Sequence, residues 1–368
     1  MSLKSFVKKR IDGLSILLEA FDGNSLAKGC YRYLKKCNSK SFVTVYKEPY
    51  IYSCGGSVYK GFENIGIVLQ GPVMHEDNFT IETIRIIREW YPEIRIVLST
   101  WFGSLTDKEK EWLNNYNCRI IESNDLGGEN KGTKEKTGHL NNQLLSSRLG
   151  LEFLEREGIK YALKLRSDVR LYKTDFVPYL LTCLEVYKKA DLNLINVAFS
   201  NSLYNIPFHM SDFIWFGDIE HMLKMYSVSY REDETLSYIR DFVNSNEYDR
   251  YKEEFAYSKK RPFELNTKWY EESKLDKEFL VNYHEEIYIP YNFWCDESNN
   301  HSDNLLFDYY KFLSRIIVLD DRDLLVYWNK YLYSIIQSDY SYKEASRLTH
   351  SKWMTIYQNK GGFEHKCG

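Results

Sequence analysis

Three charged side chains alternate along the end of one short segment, residues 160–168, whose sequence is KYALKLRSD. Lys164, Arg166 and Asp168 are two residues apart, so they share a face if the segment is an extended strand. Charges are costly to bury unless they are paired, so this strand end is unusual. One interpretation is a site for a diphosphate and a divalent metal, in which Asp168 binds Mg²⁺ or Mn²⁺ and Arg166 or Lys164 contacts phosphate oxygens. The other is an internal ion pair, and the spacing alone favours neither.

This segment is the last of four short apolar runs between residues 63 and 168. Runs that are apolar on both faces are typical of buried parallel strands. Helical patterns separate them: isoleucines at helical spacing near residues 81–87, an acidic stretch near Asp107–Tyr116, and a long helix beginning near His139. The alternation predicts an α/β fold, with a doubly wound, mostly parallel sheet flanked by helices on both faces.

The polar ends of these four strands form the second feature of interest. Ligands of such sheets bind beyond the carboxyl ends of the strands. The four ends are Gln70-Gly71-Pro72, Ser99-Thr100-Trp101, Ser123-Asn124-Asp125 and Arg166-Ser167-Asp168. Since all four converge on one edge, we expect that edge to hold the binding site.

The helix before the fourth strand has a polar face of its own. Asn141 and Arg148 are seven residues apart and share one face, opposite an apolar stripe. That face either contributes to the crevice or is simply solvated. The polar, glycine-rich loop Leu126–Thr137 before the helix is either a mobile lid or a surface connection.

The composition excludes several classes of protein. The chain has 49 basic and 52 acidic residues and a formal net charge of −3, so it lacks the basic excess expected of a nucleic-acid-binding protein. Its seven cysteines contain no CxxC, which argues against a zinc knuckle or a redox pair. The sequence contains no run of about 18 apolar residues, so no transmembrane helix is predicted. The N-terminus lacks the apolar core of a signal peptide. We therefore expect a cytoplasmic protein.

The N-terminal segment Ser5–Leu18 has the pattern of a basic amphipathic helix. Lys8, Lys9 and Arg10 lie opposite its apolar residues. Such a helix can lie on an anionic membrane, or it can pack on its own domain. The first alternative predicts peripheral contact with the inner face of the cytoplasmic membrane.

Several ordered motifs together resemble the WavE family of lipopolysaccharide-synthesis proteins: IVLQGPV, IRIVLSTW, NDLGG, NNQLLSSRLGLEFL and KYALKLRSDVRLY. The likeness covers residues 65–172 and, less closely, the segment SDFIWFGD. It implies a GT-A-like (Rossmann-like) glycosyltransferase that takes a sugar from a nucleotide-sugar. The acceptor would be a glycan or lipid-linked glycan in bacterial lipopolysaccharide or capsule synthesis, and Asp168 would hold Mn²⁺ or Mg²⁺. The nucleotide-binding residues are then expected to be Gln70, Gly71, Pro72, Thr100, Asn124, Asp125, Asn141, Arg148, Lys164 and Arg166.

Two positions depart from the pattern of the enzymes that the chain resembles. Many GT-A enzymes carry Asp-x-Asp where this chain has Arg166-Ser167-Asp168, and Arg166 could itself balance the diphosphate charge. Asn142 stands before Gln143 where the family pattern has an arginine. One phosphate or base contact is therefore either missing or supplied elsewhere.

The resemblance also places an acceptor pocket at the next strand and helix, near residues 209–218. His209, Asp212, Trp215 and Asp218 are the candidates there. Trp215 or Phe216 would stack on a sugar, and Asp212 or Asp218 would deprotonate the acceptor hydroxyl. The alternatives are that the two aromatic residues belong to the core and that Asp218 caps a helix. The expected catalytic residues are Asp168, Asp212 and Arg166.

The predicted organisation has three parts: a leader at residues 1–60, a GT-A-like domain at 61–300 and a helical C-terminal extension at 301–368. Two other functions remain open. One is a sugar nucleotidyltransferase, although the first loop, QGPVMHED, lacks the glycine-rich basic signature of those enzymes. The other is a non-catalytic glycan-binding or assembly subunit, which the missing first aspartate favours.

Overall fold

The structure is a computed structural model that describes residues 58–126, 140–190, 197–200, 208–230, 284–298, 305–329, 333–334 and 348–358. All of these residues belong to one compact unit. The predicted leader helix and nearly all of the candidate lid lie outside the described residues.

Two sheets are formed by the described residues. The seven-stranded main sheet has the order β3-β2-β1-β4-β7-β6-β8, and a small antiparallel sheet has the order β10-β9-β5. The strands are β1 (Ile65–Gln70), β2 (Arg95–Trp101), β3 (Cys118–Ser123), β4 (Tyr161–Arg166), β5 (Val169–Leu171), β6 (Val197–Ser200), β7 (Ile214–Asp218), β8 (Ile317–Leu319), β9 (Val326–Trp328) and β10 (Tyr333–Ser334).

Helices separate most of these strands. They are α1 (Phe79–Trp90), α2 (Asp107–Asn115), α3 (Leu140–Arg156), α4 (Phe176–Ala190), α5 (Ile219–Tyr226), α6 (His284–Ser298), α7 (Leu305–Leu313), α8 (Asp321–Leu324) and α9 (His350–Gln358). No helix among the described residues is long and apolar enough to cross a membrane.

The first four strands of the main sheet run parallel, in the order β3-β2-β1-β4. Gln70, the last residue of β1, lies in register with Ser99 of β2 and Arg166 of β4. The four polar strand ends therefore share one edge. The prediction of an α/β fold with a mostly parallel sheet flanked by helices is confirmed.

Strand β7 runs antiparallel to both β4 and β6. Because of this reversal, β7 begins at the edge where β4 ends, and Leu165 pairs with Ile214. Residues just before β7 consequently lie beside the carboxyl end of β4.

Helix α3 packs unusually closely on β1. A Cβ atom at Gly66 would lie 2.5 Å from Leu154 Cδ1, and one at Gly150 would lie 2.4 Å from Val68 Cγ1. Only glycine permits this approach of helix and strand. Residues in register on neighbouring strands share a face, so α3 covers the face of the sheet that carries Lys164, the partner of Val68.

The C-terminal part differs from the expected helical extension over residues 317–334. It is helical at α7 and α9, but β8 pairs with β6 in the main sheet and β9 pairs with β5. The main sheet therefore extends past residue 300. Short apolar runs such as IVL and VYW have no periodicity that separates strand from helix, and their sheet partners are distant in sequence.

Candidate active site

Two turns are interlocked where β1 and β4 end. Gly71 has φ +113°, which favours glycine, and its N–H donates to the carbonyl of Ser99 at 3.1 Å. Ser167 donates from its N–H to the carbonyl of Gln70 at 2.9 Å and from its Oγ to the carbonyl of Pro72 at 2.6 Å. The backbone entering Asp168 is thereby fixed against β1.

Asp168 is also held from the other side, by the small sheet. Its carbonyl accepts from the N–H of Asn329 at 2.9 Å. Its Oδ2 accepts from the indole N–H of Trp328 at 2.8 Å. Strand β5 begins directly after Asp168 and pairs with β9, whose last residue is Trp328. This pairing brings Trp328 to Asp168.

The guanidinium of Arg166 lies between two carboxylates. Its Nε and Nη2 donate to the two oxygens of Asp168, each at 2.9 Å. Its Nη1 donates to both oxygens of Asp212 at 3.1 Å. The rings of Phe213 and Trp328 lie 5.3 and 5.4 Å from the guanidinium carbon, which is within cation–π range. Arg166 is thus fixed by paired charges and by two aromatic rings.

Lys164 adds a second cation that is fully buried. Its ammonium donates to the main-chain carbonyl of Asp212 and lies 5.8 Å from the centre of the Tyr226 ring. Burial lowers the pKa of Lys164 to about 8, although the charge of Asp212 opposes this shift. We call Lys164, Arg166, Asp168 and Asp212 the charge cluster. When its two cations are protonated and its two aspartates are ionised, its formal charges sum to zero.

Asp212 is kept ionised by these cations. Burial by itself would raise the pKa of its carboxyl, but the charges of Arg166 and Lys164 outweigh burial and lower the pKa below its ordinary value. Burial by itself would lower the pKa of Arg166, but the carboxylates of Asp212 and Asp168 outweigh burial and raise the pKa. Asp212 therefore presents an ionised carboxylate to its surroundings.

The charge cluster opens into a cleft that is continuous with solvent. Its lining residues are Gln143, Arg166, Met210, Asp212, Trp215, Tyr226, Ile289 and Pro290. The side chains of Arg166 and Asp212 are 24% and 21% exposed, whereas that of Asp168 is 7% exposed. A ligand in the cleft can contact Arg166 and Asp212, while Asp168 lies behind them.

The predicted nucleotide-binding residues at the other strand ends fall into two groups. Gln70, Gly71 and Thr100 are buried, and Gln70 accepts a hydrogen bond from Ser146 of α3 at 3.0 Å. Pro72, Asn124 and Asp125 are exposed. The structure thus brings these positions to one edge, as predicted, but only the second group is accessible.

Asn142 ties α3 to the end of β3. Its Oδ1 accepts from the N–H of Leu126 at 2.8 Å, and its Nδ2 donates to Asp125 Oδ1 at 2.5 Å. The residue that departs from the family pattern therefore positions Asp125. Arg148 lies elsewhere, with its Nη2 2.7 Å from the hydroxyl of Tyr230, and it is not among the lining residues of the cleft.

The remaining acceptor-site candidates differ in where they lie. Asp218 caps α5 by accepting from the N–H of Glu220 at 3.0 Å. Trp215 and Phe216 are buried, and Trp215 also lines the cleft. His209 is buried, and burial lowers its pKa to about 4. Of the two aspartates considered as a base, Asp212 is therefore the one that lines the cleft.

The side chains around Asp168 do not fit a divalent metal. The two oxygens of Asp168 accept three hydrogen bonds from Arg166 and Trp328, and both oxygens of Asp212 face Arg166. Mg²⁺ and Mn²⁺ need such oxygens for themselves. In the described part of the chain, no three His, Cys, Asp or Glu side chains are grouped so that they could hold a metal ion. Asp168, the predicted metal ligand, is paired with Arg166.

Sequence reasoning missed several residues of the site. Phe213 and Trp328 flank Arg166, and Tyr226 and Ile289 line the cleft. Phe213 lies beside Asp212 and could have been inferred from that neighbour. The other three come from elements whose pairing or packing no local pattern reveals.

The sequence model of one protein family, described as WavE lipopolysaccharide synthesis, matches residues 65–302, which is more than half of the chain. The chain belongs to the WavE lipopolysaccharide synthesis family. The match includes β1 to β4, β7 and the whole Lys164–Asp168 segment. No curated protein matches this WavE sequence.

Three solved structures that are similar to this WavE chain each have a TM-score below 0.3. A cytidylyltransferase from Leptospira borgpetersenii has a TM-score of 0.29 and 10% identity, covering 48% of this chain and 71% of its own. A glycosyltransferase involved in glycosylation of the major capsid of PBCV-1 has a TM-score of 0.25 and 14% identity, covering 56% and 73%. A mannosyltransferase from Pyrobaculum calidifontis, in complex with GDP-Man and Mn²⁺, has a TM-score of 0.27 and 11% identity, covering 79% and 88%.

Proposed function

We propose that this chain is a glycosyltransferase that moves a sugar from a nucleotide-sugar to a growing bacterial surface polysaccharide, either lipopolysaccharide or capsule. The observation that carries the proposal is the cleft at the carboxyl edge of the sheet, where a fixed guanidinium and an ionised carboxylate are both accessible. In glycosyl transfer, a cation can stabilise the leaving diphosphate and a carboxylate can accept the proton of the acceptor hydroxyl. Membership of a lipopolysaccharide-synthesis family supports the same substrate class.

In the proposed reaction, the acceptor hydroxyl attacks the anomeric carbon of the donor sugar. Its oxygen forms the new glycosidic bond, and its proton passes to Asp212 as general base. The bond from the anomeric carbon to the diphosphate oxygen breaks, and the bonding electrons remain on the diphosphate. Arg166 stabilises that growing negative charge.

The timing of these steps explains why a neutral cluster can stabilise an anion. Before reaction, Asp168 and Asp212 balance Arg166 and Lys164. When Asp212 takes the acceptor proton, it loses its charge, and the cluster becomes positive by one unit while the leaving group becomes more negative. The stabilisation is therefore greater in the transition state than in the ground state, which is the condition for catalysis.

The nucleotide is proposed to lie along the ends of β1, β2 and β3. Pro72, Asn124 and Asp125 offer exposed groups there, and the buried Gln70, Gly71 and Thr100 shape the floor. In this arrangement the diphosphate reaches Arg166 at the end of β4. Asn141 and Arg148 of α3 remain proposed outer contacts of the same donor.

A panel of UDP-, GDP-, CMP- and dTDP-sugars tests the proposal. One donor class should raise the unfolding midpoint of the full chain, since binding to the native state stabilises it. The same donor should then give transfer to a bacterial polysaccharide acceptor. If none of these donors binds, the chain is a non-catalytic assembly subunit. If the chain instead makes pyrophosphate from a nucleoside triphosphate and a sugar 1-phosphate, it is a nucleotidyltransferase.

The proposal includes work at the inner face of the cytoplasmic membrane, where lipid-linked acceptors occur. It rests on the basic segment that contains Lys8, Lys9 and Arg10, which lies outside the described residues. The intact chain should float with anionic liposomes at low salt and dissociate as salt screens the attraction. Failure to float at low salt would contradict membrane contact but not glycosyl transfer.

A further inference from the structure

A guanidinium occupies the position between Asp168 and Asp212 that a carboxylate-bound metal would need. All four carboxylate oxygens accept hydrogen bonds from Arg166, at 2.9 to 3.1 Å. Trp328 donates a further hydrogen bond to Asp168. The carboxylate oxygens that could bind a metal ion therefore already accept hydrogen bonds from the guanidinium of Arg166.

Displacing Arg166 would be costly. The guanidinium would leave two carboxylates and the faces of Phe213 and Trp328. A divalent ion added without displacement would place two more positive charges beside Arg166 and Lys164. Both arrangements are disfavoured in a site that is largely shielded from water.

We propose that Arg166 is the resident cation of this site, and that the chain binds nucleoside diphosphates and their sugars without a divalent metal. This inference rests on the proposed glycosyltransferase function and assigns the group that replaces the metal. The side chain of Arg166 lines the cleft and is 24% exposed, so a diphosphate can approach it from solvent while the carboxylates hold it. Arginine is a suitable replacement because its charge is permanent and its planar group matches phosphate oxygens.

Calorimetric titration of the full chain with UDP, GDP, CDP and dTDP tests this proposal. Each titration is run once with EDTA and once with Mn²⁺ at about 1 mM. The nucleotide that binds should have dissociation constants that agree within about twofold in the two buffers. A requirement for Mn²⁺, seen as affinity at least about tenfold tighter with the ion than with EDTA, would overturn the proposal.

A substitution can convert the site. Arg166→Asp removes the guanidinium and places a third carboxylate beside Asp168 and Asp212. Mn²⁺ should then raise the unfolding midpoint of the variant and leave that of the native chain unchanged. Arg85→Asp is the matched control, because Arg85 also contacts two carboxylates, Glu82 and Glu89, but on the partly exposed face of α1. Mn²⁺ stabilisation of the native chain that equals that of the variant would contradict the proposal.

Failure of the donor assignment is distinguishable from failure of this inference. If no nucleoside diphosphate binds in either buffer, the proposed donor is wrong. The native chain is then titrated with Mn²⁺ alone. The electron paramagnetic resonance signal of the free ion measures how much Mn²⁺ binds, and this result decides the inference. Saturable binding of about one ion per chain would refute it, and an unchanged free-ion signal would support it.

Discussion

The ends of β1, β2 and β3 differ from the end of β4, although all four lie on one edge of the sheet. At the first three, polar groups are mostly uncharged and hold the scaffold, as in the hydrogen bonds from Ser146 to Gln70 and from Asn142 to Asp125. At the fourth, two cations meet two carboxylates. A nucleoside is uncharged and a diphosphate is not, so this division fits the nucleotide-sugar that we propose as the donor. Substitutions at the two regions should therefore have different effects.

The largest effect is expected from Asp212→Asn. The change keeps the shape of the side chain but removes the proton acceptor, so turnover should fall by about 10²- to 10⁴-fold. The measurement is the initial rate of sugar transfer at saturating donor. Asp218→Asn is the control, because Asp218 caps α5 and is not a lining residue of the cleft. Similar rates for the two variants would show that Asp212 is only an ion-pair partner.

Arg166→Met should affect stability as well as donor binding. It leaves Asp168 and Asp212 without their main partner, and breaking a buried pair in this way costs about 3 kcal/mol or more. The free energy of unfolding, from urea denaturation, measures this loss. Arg85→Met breaks two ion pairs whose side chains are partly exposed to solvent. It should therefore lower the free energy of unfolding by less than about 1 kcal/mol. Equal losses would remove the distinction between the cluster and an ordinary surface network.

Lys164→Met should change how stability depends on pH. The pKa of Lys164 is about 8 in the folded chain, below its ordinary value of 10.5, so the unfolded chain binds more protons between these values. The contribution of Lys164 to stability therefore rises with pH over that window, with a slope of up to about 1.4 kcal/mol per pH unit. Subtracting the variant's unfolding free energies from those of the native chain, between pH 7.5 and 10.5, isolates this slope. A flat difference would contradict the shifted pKa.

The smallest effect is expected from Asn142→Ala, at the uncharged end of the comparison. It removes two hydrogen bonds at the end of β3, so unfolding should become easier by about 1–2 kcal/mol. Because Asp125 loses its support, donor affinity should fall by up to about tenfold while turnover at saturation is retained. Asn115→Ala, at an exposed position of α2, is the control. A large loss of turnover at saturating donor would show that Asn142 acts on the reaction step and not only on donor binding.

Much of the parallel half of the fold could be predicted from sequence because its signals are local. The apolar runs of β1 to β4 and the helices between them identify themselves, and the ends of parallel strands must share an edge. The two-residue spacing of Lys164, Arg166 and Asp168 likewise predicted three members of the cluster. Lys164 and Arg166 share a face of β4, and Asp168 lies just past the end of that strand, where Arg166 contacts it.

The other half of the site depends on pairing that no local pattern encodes. Asp212 meets Arg166 because β7 runs antiparallel to β4, which brings the residues before β7 to the end of β4. Trp328 reaches Asp168 because β9 pairs with β5 across more than 150 residues of chain. The resemblance suggested Asp212 as a base, but neither it nor the spacing could reveal that Arg166 holds both aspartates.

The glycine contacts between α3 and β1 set the mechanical behaviour of the whole edge. With Gly66 against Leu154 and Gly150 against Val68, the helix and the strand are in close contact at two points, so a slide of α3 along β1 would bring larger side chains into these contacts. Helix α3 also carries Asn142, Gln143 and Ser146 to the strand ends. We therefore expect these residues of α3 to move together with the sheet. We expect any rearrangement around a ligand to occur in segments other than this helix.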